Sequence, residues 1–480
     1  MNKSSIIFIT LLLALWTGKS CAQEFSFDFS SGSGIFEKFS NYYYGSFILE
    51  KPVTVKIHSK IPLGKIEISP KHENTAWKVS DNNLIIRLNS PCNKVIRIND
   101  TIKLFLFAEQ QERKTDLQEV NITEIYGVDN TGKVNETQKI RKALRDIAGS
   151  GKILSFPQGK YKTGQLEIYS YSRIYLAPGA EIFADTTSAE QFSSNDDLKT
   201  RRLIYINKSR DIEIFGNGTI NGNGHILRQK YGDDARIRLF LAARSRNISV
   251  SGIKFKDPGS WNTQVISCEN VSFNNVKLLN DVNLANTDGF DPDASRRVVI
   301  NKCFASCGDD NVAIKSTNYS NLGGNVDDIT IRGCVFLTKK SSLKIGTETR
   351  CDSIKNIIFE NNDVIECDRG IAVYVQDGAI LENISFLNNR FERNYPDAQR
   401  KAIHIAVNKR TTESQLGSVK SLLIKDCKFY TRFPEKSEIK FEGDFKGISA
   451  TIENLTIEEK TVTQIEEADI RTVNALIYIH

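Results

Sequence analysis

No stretch of these 480 residues stays apolar over the roughly 20 positions that a membrane-crossing helix needs. The longest apolar run, residues 6–16, is about half that length, so a transmembrane segment is excluded. A basic block interleaved with aromatics is also missing. The 64 lysines and arginines are mixed along the chain with 58 acidic residues, for a net charge of +6, which argues against a nucleic-acid partner. Helical periodicity is scarce: Glu136 to Ala148 is the one convincing amphipathic segment. What remains is dominated by short β-type patterns. At 480 residues the chain exceeds what one core normally organises, so two domains or an elongated repeat are expected.

The short apolar run follows Met1-Asn2-Lys3 and precedes Ser20-Cys21-Ala22, the small residues that signal peptidase requires. Residues 1–22 are read as a signal peptide cleaved after Ala22, with lipidation of Cys21 the lesser alternative because Gly18 and Lys19 make a poor lipobox. Secretion or a periplasmic location follows from that reading. Eight cysteines then remain, at 92, 268, 303, 307, 334, 351, 367 and 427, where disulfides are permitted. Spacing does not give pairs. Cys303, Cys334 and Cys427 each follow a short apolar strand (VVINKC, ITIRGC, LLIKDC), which predicts an inward-facing stack of free thiols.

Residues 23–118 show alternating strands (SFILEKPVTVKIHS, NLIIRLN, IKLFLFAE) separated by Pro, Gly and Asn turns, as in a small β-sandwich. Nothing in them demands chemistry, and a structural cap on the next domain is expected. Residues 119–480 repeat themselves. Short β-branched runs such as RNISVSGIKF, RRVVINKCF, DDITIRGCVF, KNIIFENNDV and ENISFLNNRF recur every twenty to thirty residues, each followed by Asn, Gly or Asp. That period predicts a solenoid, a right-handed parallel β-helix whose strands stack about 4.8 Å apart. The recurring Asn residues would occupy stacked turns, because they tolerate left-handed backbone. The segment Glu136 to Ala148 would cap the open end.

Within this frame Asp288, in Asn286-Thr287-Asp288-Gly289-Phe290-Asp291, lies 21 residues before Asp309, in Gly308-Asp309-Asp310-Asn311. One coil is about that long, so Asp288 should stand beside the Asp309-Asp310 pair. Adjacent side chains on a strand point to opposite faces. Asp309 and Asp310 therefore reach one cleft only if the backbone bends, and Gly308 can supply the bend. Three crowded carboxylates cannot all ionise at low cost, so one should hold its proton. A protonated acid beside an ionised carboxylate is what glycoside hydrolysis uses, whereas solvated or calcium-binding turn aspartates are the plainer reading.

The segment NTDGFDPDASRRVVINKCFASCGDDNVAIKS resembles the core of family 28 glycoside hydrolases, the polygalacturonase family. YGVDNTGKVNETQKIRKAL, FPQGKYKTGQLEI, IYLAPGAEI and FGNGTINGNG extend the likeness from about Asn121 to the C-terminus. The resemblance implies a pectin-lyase-like solenoid and an inverting mechanism. Asp309 is then the general acid, and Asp288 and Asp310 bind and deprotonate water. It implies a polysaccharide substrate, pectic above all, and neither a metal nor an organic cofactor. A monomer is expected.

The chain departs from the family pattern twice. Where the family carries Gly-His-Gly, this chain has Lys340-Ser341-Ser342, so Ser341 replaces the histidine. Where Arg-Ile-Lys follows Arg-Gly, Arg369-Gly370-Ile371 runs into Ala372-Val373-Tyr374. Losing those cations removes the bonds best suited to a carboxylate, so a neutral sugar such as rhamnose fits the leaving-group subsite better. Lys315, Lys344 and Arg369 could restore anion binding, as could Lys339, Lys340 and Arg350. Each is as readily a solvated cation. Trp261 could stack on a sugar or be buried packing. Asn286 and Tyr374 are further substrate-contact candidates, and His404, alternating with Ile403 and Ile405, faces outward as a substitute for the missing histidine. The alternatives are a dextran-like or sulfated galactan substrate, a catalytically silent carbohydrate-binding protein, or a lyase, which needs a cation to neutralise a uronate.

Overall fold

The computed structural model describes residues 24–110, 116–193, 196–396 and 400–480, so the signal segment and its cleavage site lie outside the described residues. From Phe25 to Glu109 two five-stranded sheets face each other. Strand Val53–Ser59 shows why they form: Val53, Val55 and Ile57 are buried while Thr54 and Lys56 are exposed. That alternation puts one face of the sheet into a core shared with Leu84, Ile86, Ile96, Leu104 and Leu106.

Strand Ile102–Glu109 departs from alternation because both of its faces are covered. Leu104 and Leu106 point into the sandwich, whereas Phe105 and Phe107 join Tyr42 against Leu279, Phe304, Val335, Leu337 and Ile365 of the second domain. Phe304 sits 4.9 Å from Phe105 and 5.0 Å from Phe107, ring centre to ring centre. Buried ion pairs frame this seam: Glu366 takes Arg97 and, at 2.7 Å, Lys103, and Glu109 takes Lys277. The sandwich thus braces the flank of the solenoid rather than covering its end. Phe304→Ala is expected to cost roughly 3–5 kcal/mol, read as a lower urea midpoint of the full chain.

From Glu119 onward the chain winds into a right-handed parallel β-helix of three sheets, with 13, 13 and 11 strands. Each strand pairs with the one a coil later, as Val298–Ile329–Ile357–Ile384 illustrates. Helix Thr137–Ile147 covers the N-terminal end, with Ile140, Ala143, Leu144 and Ile147 on the core. Asn247, Asn270, Asn356, Asn361, Asn383 and Asn388 all have positive φ, and their amides bond from coil to coil, Asn388 to Asn361 at 2.6 Å and Asn270 to Asn247 at 2.8 Å. Inside the turns runs a second ladder: the Cys303 N–H donates to Cys334 Sγ at 3.3 Å, the Cys334 N–H to Asn362, and the Asn362 N–H to Asn389. All eight described cysteines are free, and Cys303, Cys334 and Cys427 are buried, as their positions after apolar strands predict.

The 11-stranded sheet carries the site. Its strands include Arg238–Ala243, Thr263–Ile266, Phe290–Asp293, Val312–Ser316, Ser341–Thr349, Arg369–Val375 and Lys401–Val407, and it is called the cleft sheet below.

Candidate active site

The cleft sheet places residues at the start of successive strands above one another. Thr263 pairs with Phe290, Phe290 with Val312 and Val312 with Leu343. Two residues earlier, Trp261, Asp288, Asp310 and Ser341 therefore form one row, and Arg369 continues it opposite Ser341. Asp288 thus stacks on Asp310, with Asp309 next door. Strand Phe304–Cys307 ends before the pair and Val312–Ser316 begins after it, so both aspartates sit in a turn and strand alternation does not separate them. Gly308 has a role other than the bend: a Cβ there would lie 2.6 Å from the Leu284 carbonyl oxygen and 2.7 Å from Thr287 Oγ1. Carboxylate oxygens of Asp288, Asp309 and Asp310 all fall within 4.8 Å of one another.

The three are electrostatically unequal. Asp310 is buried, yet Lys344 Nζ lies 2.6 Å from its Oδ2 and the Ser341 N–H donates to its Oδ1 at 2.9 Å. Burial alone would raise its pKa; Lys344, Lys315 and that N–H overcome burial and hold it below the ordinary carboxylate value. Among the described residues, Asp309 accepts the Asn286 N–H on its Oδ2, at 3.2 Å, and the N–H of Asp310 on its Oδ1, at 3.1 Å. Burial and the adjacent Asp310 charge push Asp309 up, against Lys344 and Lys340. Lys315 Nζ stands 2.8 Å from Asp291 Oδ1 and 3.4 Å from Asp288 Oδ2. One ammonium serves two buried carboxylates, so one proton stays with that pair. Burial and the neighbouring Asp291 raise Asp288 well above its usual value, and burial raises Asp291 to about 6. With Lys315 and Lys344 already supplying counter-charge, the trio does not fit a further divalent cation.

The remaining candidates divide by contact. Trp261 is half-buried, with Lys315 4.0 Å and Arg238 4.6 Å from its ring centre. Lys315 is buried beneath the carboxylates, so it reaches them before it could reach a ligand. Ser341 is buried too, and the fold uses its peptide N–H. Asn286 presents its N–H to Asp309 and its side-chain oxygen to Arg236. Tyr374 hydrogen-bonds His404 Nδ1 at 2.8 Å and stacks edge-on against that ring, with the Arg369 guanidinium 6.0 Å from the Tyr374 ring centre. Burial, with the Lys401 charge, lowers His404 to about 4, so it is neutral near pH 7, and burial raises Tyr374 to about 12.

Residue reasoning missed Arg238 and the weight of Asp291. Asp291 lies three positions after Asp288, a signal visible in the sequence; Arg238 carried none, because its partner Trp261 is 23 residues away. Lys339 and Arg350 are engaged elsewhere, with Asn283 at 2.8 Å and the Thr317 carbonyl at 3.1 Å. A crevice of about 1030 Å³ between the domains, beside His72, Asp363 and Arg390, holds none of the site residues.

A turn-borne carboxylate trio on one sheet of a parallel β-helix, with protonation preferences driven apart, defines a class: solenoids equipped for acid–base chemistry. Within that class the chain belongs to the Glycosyl hydrolases family 28, whose family model matches residues 151–470. A probable polygalacturonase of Vitis vinifera is 27% identical over 52% of this chain and 58% of its own length. A probable endo-xylogalacturonan hydrolase A of Aspergillus fumigatus is 29% identical over 53% and 64%. The chain thus spans about three fifths of these curated relatives. Among solved structures, the exopolygalacturonase of Thermotoga maritima superposes with a TM-score of 0.60 at 20% identity, over 73% of this chain and 94% of its own. The family 28 exopolygalacturonase of Yersinia enterocolitica gives 0.61 at 14%, over 92% and 98%. These two likenesses establish the fold. Among the described residues no helix is long and apolar enough to cross a membrane.

Proposed function

We propose that this protein is an exported, inverting glycoside hydrolase that cleaves α-linked bonds of a pectic polysaccharide. Asp309 donates its proton to the leaving glycosidic oxygen, and water held between Asp288 and Asp310 attacks the anomeric carbon and yields its proton to Asp310. The C–O bond to the leaving sugar breaks as the bond to water forms. The observation that carries this reading is the trio itself: three carboxylates within 4.8 Å, in which Asp309, the best exposed to the cleft, is held by peptide N–H groups while Asp288 and Asp310 each take a lysine. Asp288, its proton held by burial, orients the water rather than taking its proton.

Inverting enzymes ordinarily separate acid and base by about 6.5–9.5 Å, leaving room for water between opposed walls. Here water would lie against two stacked aspartates on one wall, so that rule does not govern, and inversion rests on the family resemblance. NMR of the first-formed anomer tests it directly.

On the leaving-group side, Ala372 and Tyr374 stand where the family carries cations, and Lys344 is tied to Asp310. That favours a neutral sugar there, as the rhamnose of a rhamnogalacturonan would be. Reducing-sugar release from polygalacturonate, xylogalacturonan, rhamnogalacturonan, dextran and carrageenan tests both claims, and release from dextran or carrageenan alone would overturn the pectic assignment. Tyr374→Phe removes the hydroxyl that His404 holds. It is expected to raise KM about tenfold, some 1.4 kcal/mol, with kcat nearly unchanged, if the pair binds sugar in ground and transition state alike.

A further inference from the structure

The outer face of the cleft sheet changes character along its length. Pairing aligns one outward row through Tyr205, Leu241, Gln264, Asp291, Ala313, Lys344, Ala372, His404, Glu438 and Arg471. From Tyr205 to Asp291 every member is at most 3% exposed. Beyond the carboxylates the small Ala313 and Ala372 stay buried, while the long side chains between and after them open progressively to solvent: Lys344 13%, His404 16%, Glu438 21%, Arg471 70%.

The sealed part has an identifiable cover. After strand Val312–Ser316 the chain does not proceed directly to Val326; residues 317–325 turn back across the face, and Tyr319 and Leu322 pack on Leu198, Tyr205, Leu241 and Ile266. Asp293 anchors the base of this flap through the N–H and hydroxyl of Thr317, at 2.9 and 2.7 Å. Its tip is fixed where Ser267 Oγ donates to the Leu322 carbonyl at 2.9 Å. Arg238 links flap to cleft, 5.4 Å from the Tyr319 ring centre and 4.6 Å from that of Trp261. On the opposite rim, residues 222–237, including helix Gly224–Tyr231, lean in: Arg228 donates to the Gly259 carbonyl at 2.8 Å and Arg236 to Asn286. Between the rims stands Trp261, with Arg238 against its ring, one strand spacing, about 4.8 Å, before Asp288. That is the length of a single sugar unit.

Asp309 and Asp310 lie one coil nearer the open end than Asp288. Because the acid protonates the departing oxygen, the leaving chain extends along the open groove past Lys344 and Tyr374, and the sugar that is attacked occupies the closed end. Resting on the hydrolase reading above, we infer that the enzyme works from the non-reducing end and releases one sugar at a time. The flap 317–325 and the Arg238–Trp261 wall fix that product size.

The test uses the mature protein on reducing-end-labelled hexamers of galacturonate and of the rhamnogalacturonan backbone, with polymer viscosity followed in parallel. Monosaccharide as the sole early product and almost unchanged viscosity are expected, with the labelled galacturonate hexamer shortening one unit at a time if it is cut, and the rhamnogalacturonan hexamer, whose linkages alternate, losing one terminal unit and stopping. Hexamers with a 4,5-unsaturated non-reducing end should resist. Internal fragments with collapsing viscosity, or release of the labelled terminal sugar, would overturn the inference while leaving hydrolysis intact. No cleavage of either hexamer or of any polymer would overturn the hydrolase reading and this one with it. A Tyr319→Ala, Leu322→Ala variant opens the closed end and should add di- and trisaccharides to the products. Should it fail to fold, the capped hexamers still decide.

Discussion

Asp309→Asn is expected to lower kcat on the cleaved polysaccharide by roughly 10²–10⁴-fold, the usual contribution of a positioned proton donor, with little change in KM or in melting temperature. The carboxamide keeps the shape of the side chain and can still meet the Asn286 N–H through its oxygen. On the proposed mechanism, what it removes is the proton for the leaving oxygen. Stability should hold because the wild-type carboxyl is unpaired by any cation at short range and already disfavours its charge. The measurement is initial-rate kinetics beside a thermal melt. A variant retaining more than a tenth of wild-type kcat would assign the acid elsewhere, with Asp288, whose proton is also retained, the next candidate.

Lys344→Met carries the second large effect, and it acts through pH. The 2.6 Å ion pair is what holds Asp310 below the ordinary carboxylate value against burial. The sign follows: a depressed carboxylate stays ionised as pH falls, so the base remains competent in acid, while the raised Asp309 stays protonated as pH rises. Activity fills the window between the two. Removing Lys344 takes away the largest of the influences opposing burial, so the Asp310 pKa should rise. The acidic limb of the kcat/KM profile should move to higher pH, leaving activity on that limb about tenfold or more lower and activity near neutral pH far less affected. An uncompensated buried charge should also cost roughly 3–5 kcal/mol of stability. Because the native Asp310 pKa lies below its unfolded value, that pairing contributes above the unfolded pKa and is lost as pH falls through the folded one. The stability gap between variant and wild type should therefore narrow in acid. An unmoved acidic limb would mean that Asp310 is not the base.

The solenoid was legible because its signals are local and repeated. A β-branched run with alternating apolar positions, closed by an Asn able to take positive φ, states a strand and its turn without reference to anything distant, and the chain states it coil after coil. The same regularity allowed Asp288 to be placed beside Asp309 and Asp310 from residue counting alone. The register refines that placement by one residue: Phe290 pairs with Val312, so Asp288 stands level with Asp310 and Asp309 lies beside them.

Other features were illegible for an equally physical reason. Lys315, Lys344 and Arg369 read alike as cations free to meet a substrate, and only packing distinguishes them: Lys315 is buried under Asp288 and Asp291, Lys344 neutralises Asp310, and Arg369 leans toward Tyr374. The flank position of the sandwich depends on the outward face of strand Ile102–Glu109, whose continuous apolar pattern declares two covered faces without naming what covers the second.

By itself, then, the sequence determined the repeating solenoid and the nearness of three aspartates within it, since both follow from periodicity or from spacing within one or two coils. Tertiary structure alone decided how burial and counter-charge divide among the aspartates, which lysine serves which carboxylate, and where the groove is sealed. Those properties depend on burial and on ångström-scale distances between residues far apart in the chain. Residues 317–325 fold back over Tyr205 and Leu241, and no local pattern specifies where a loop will land.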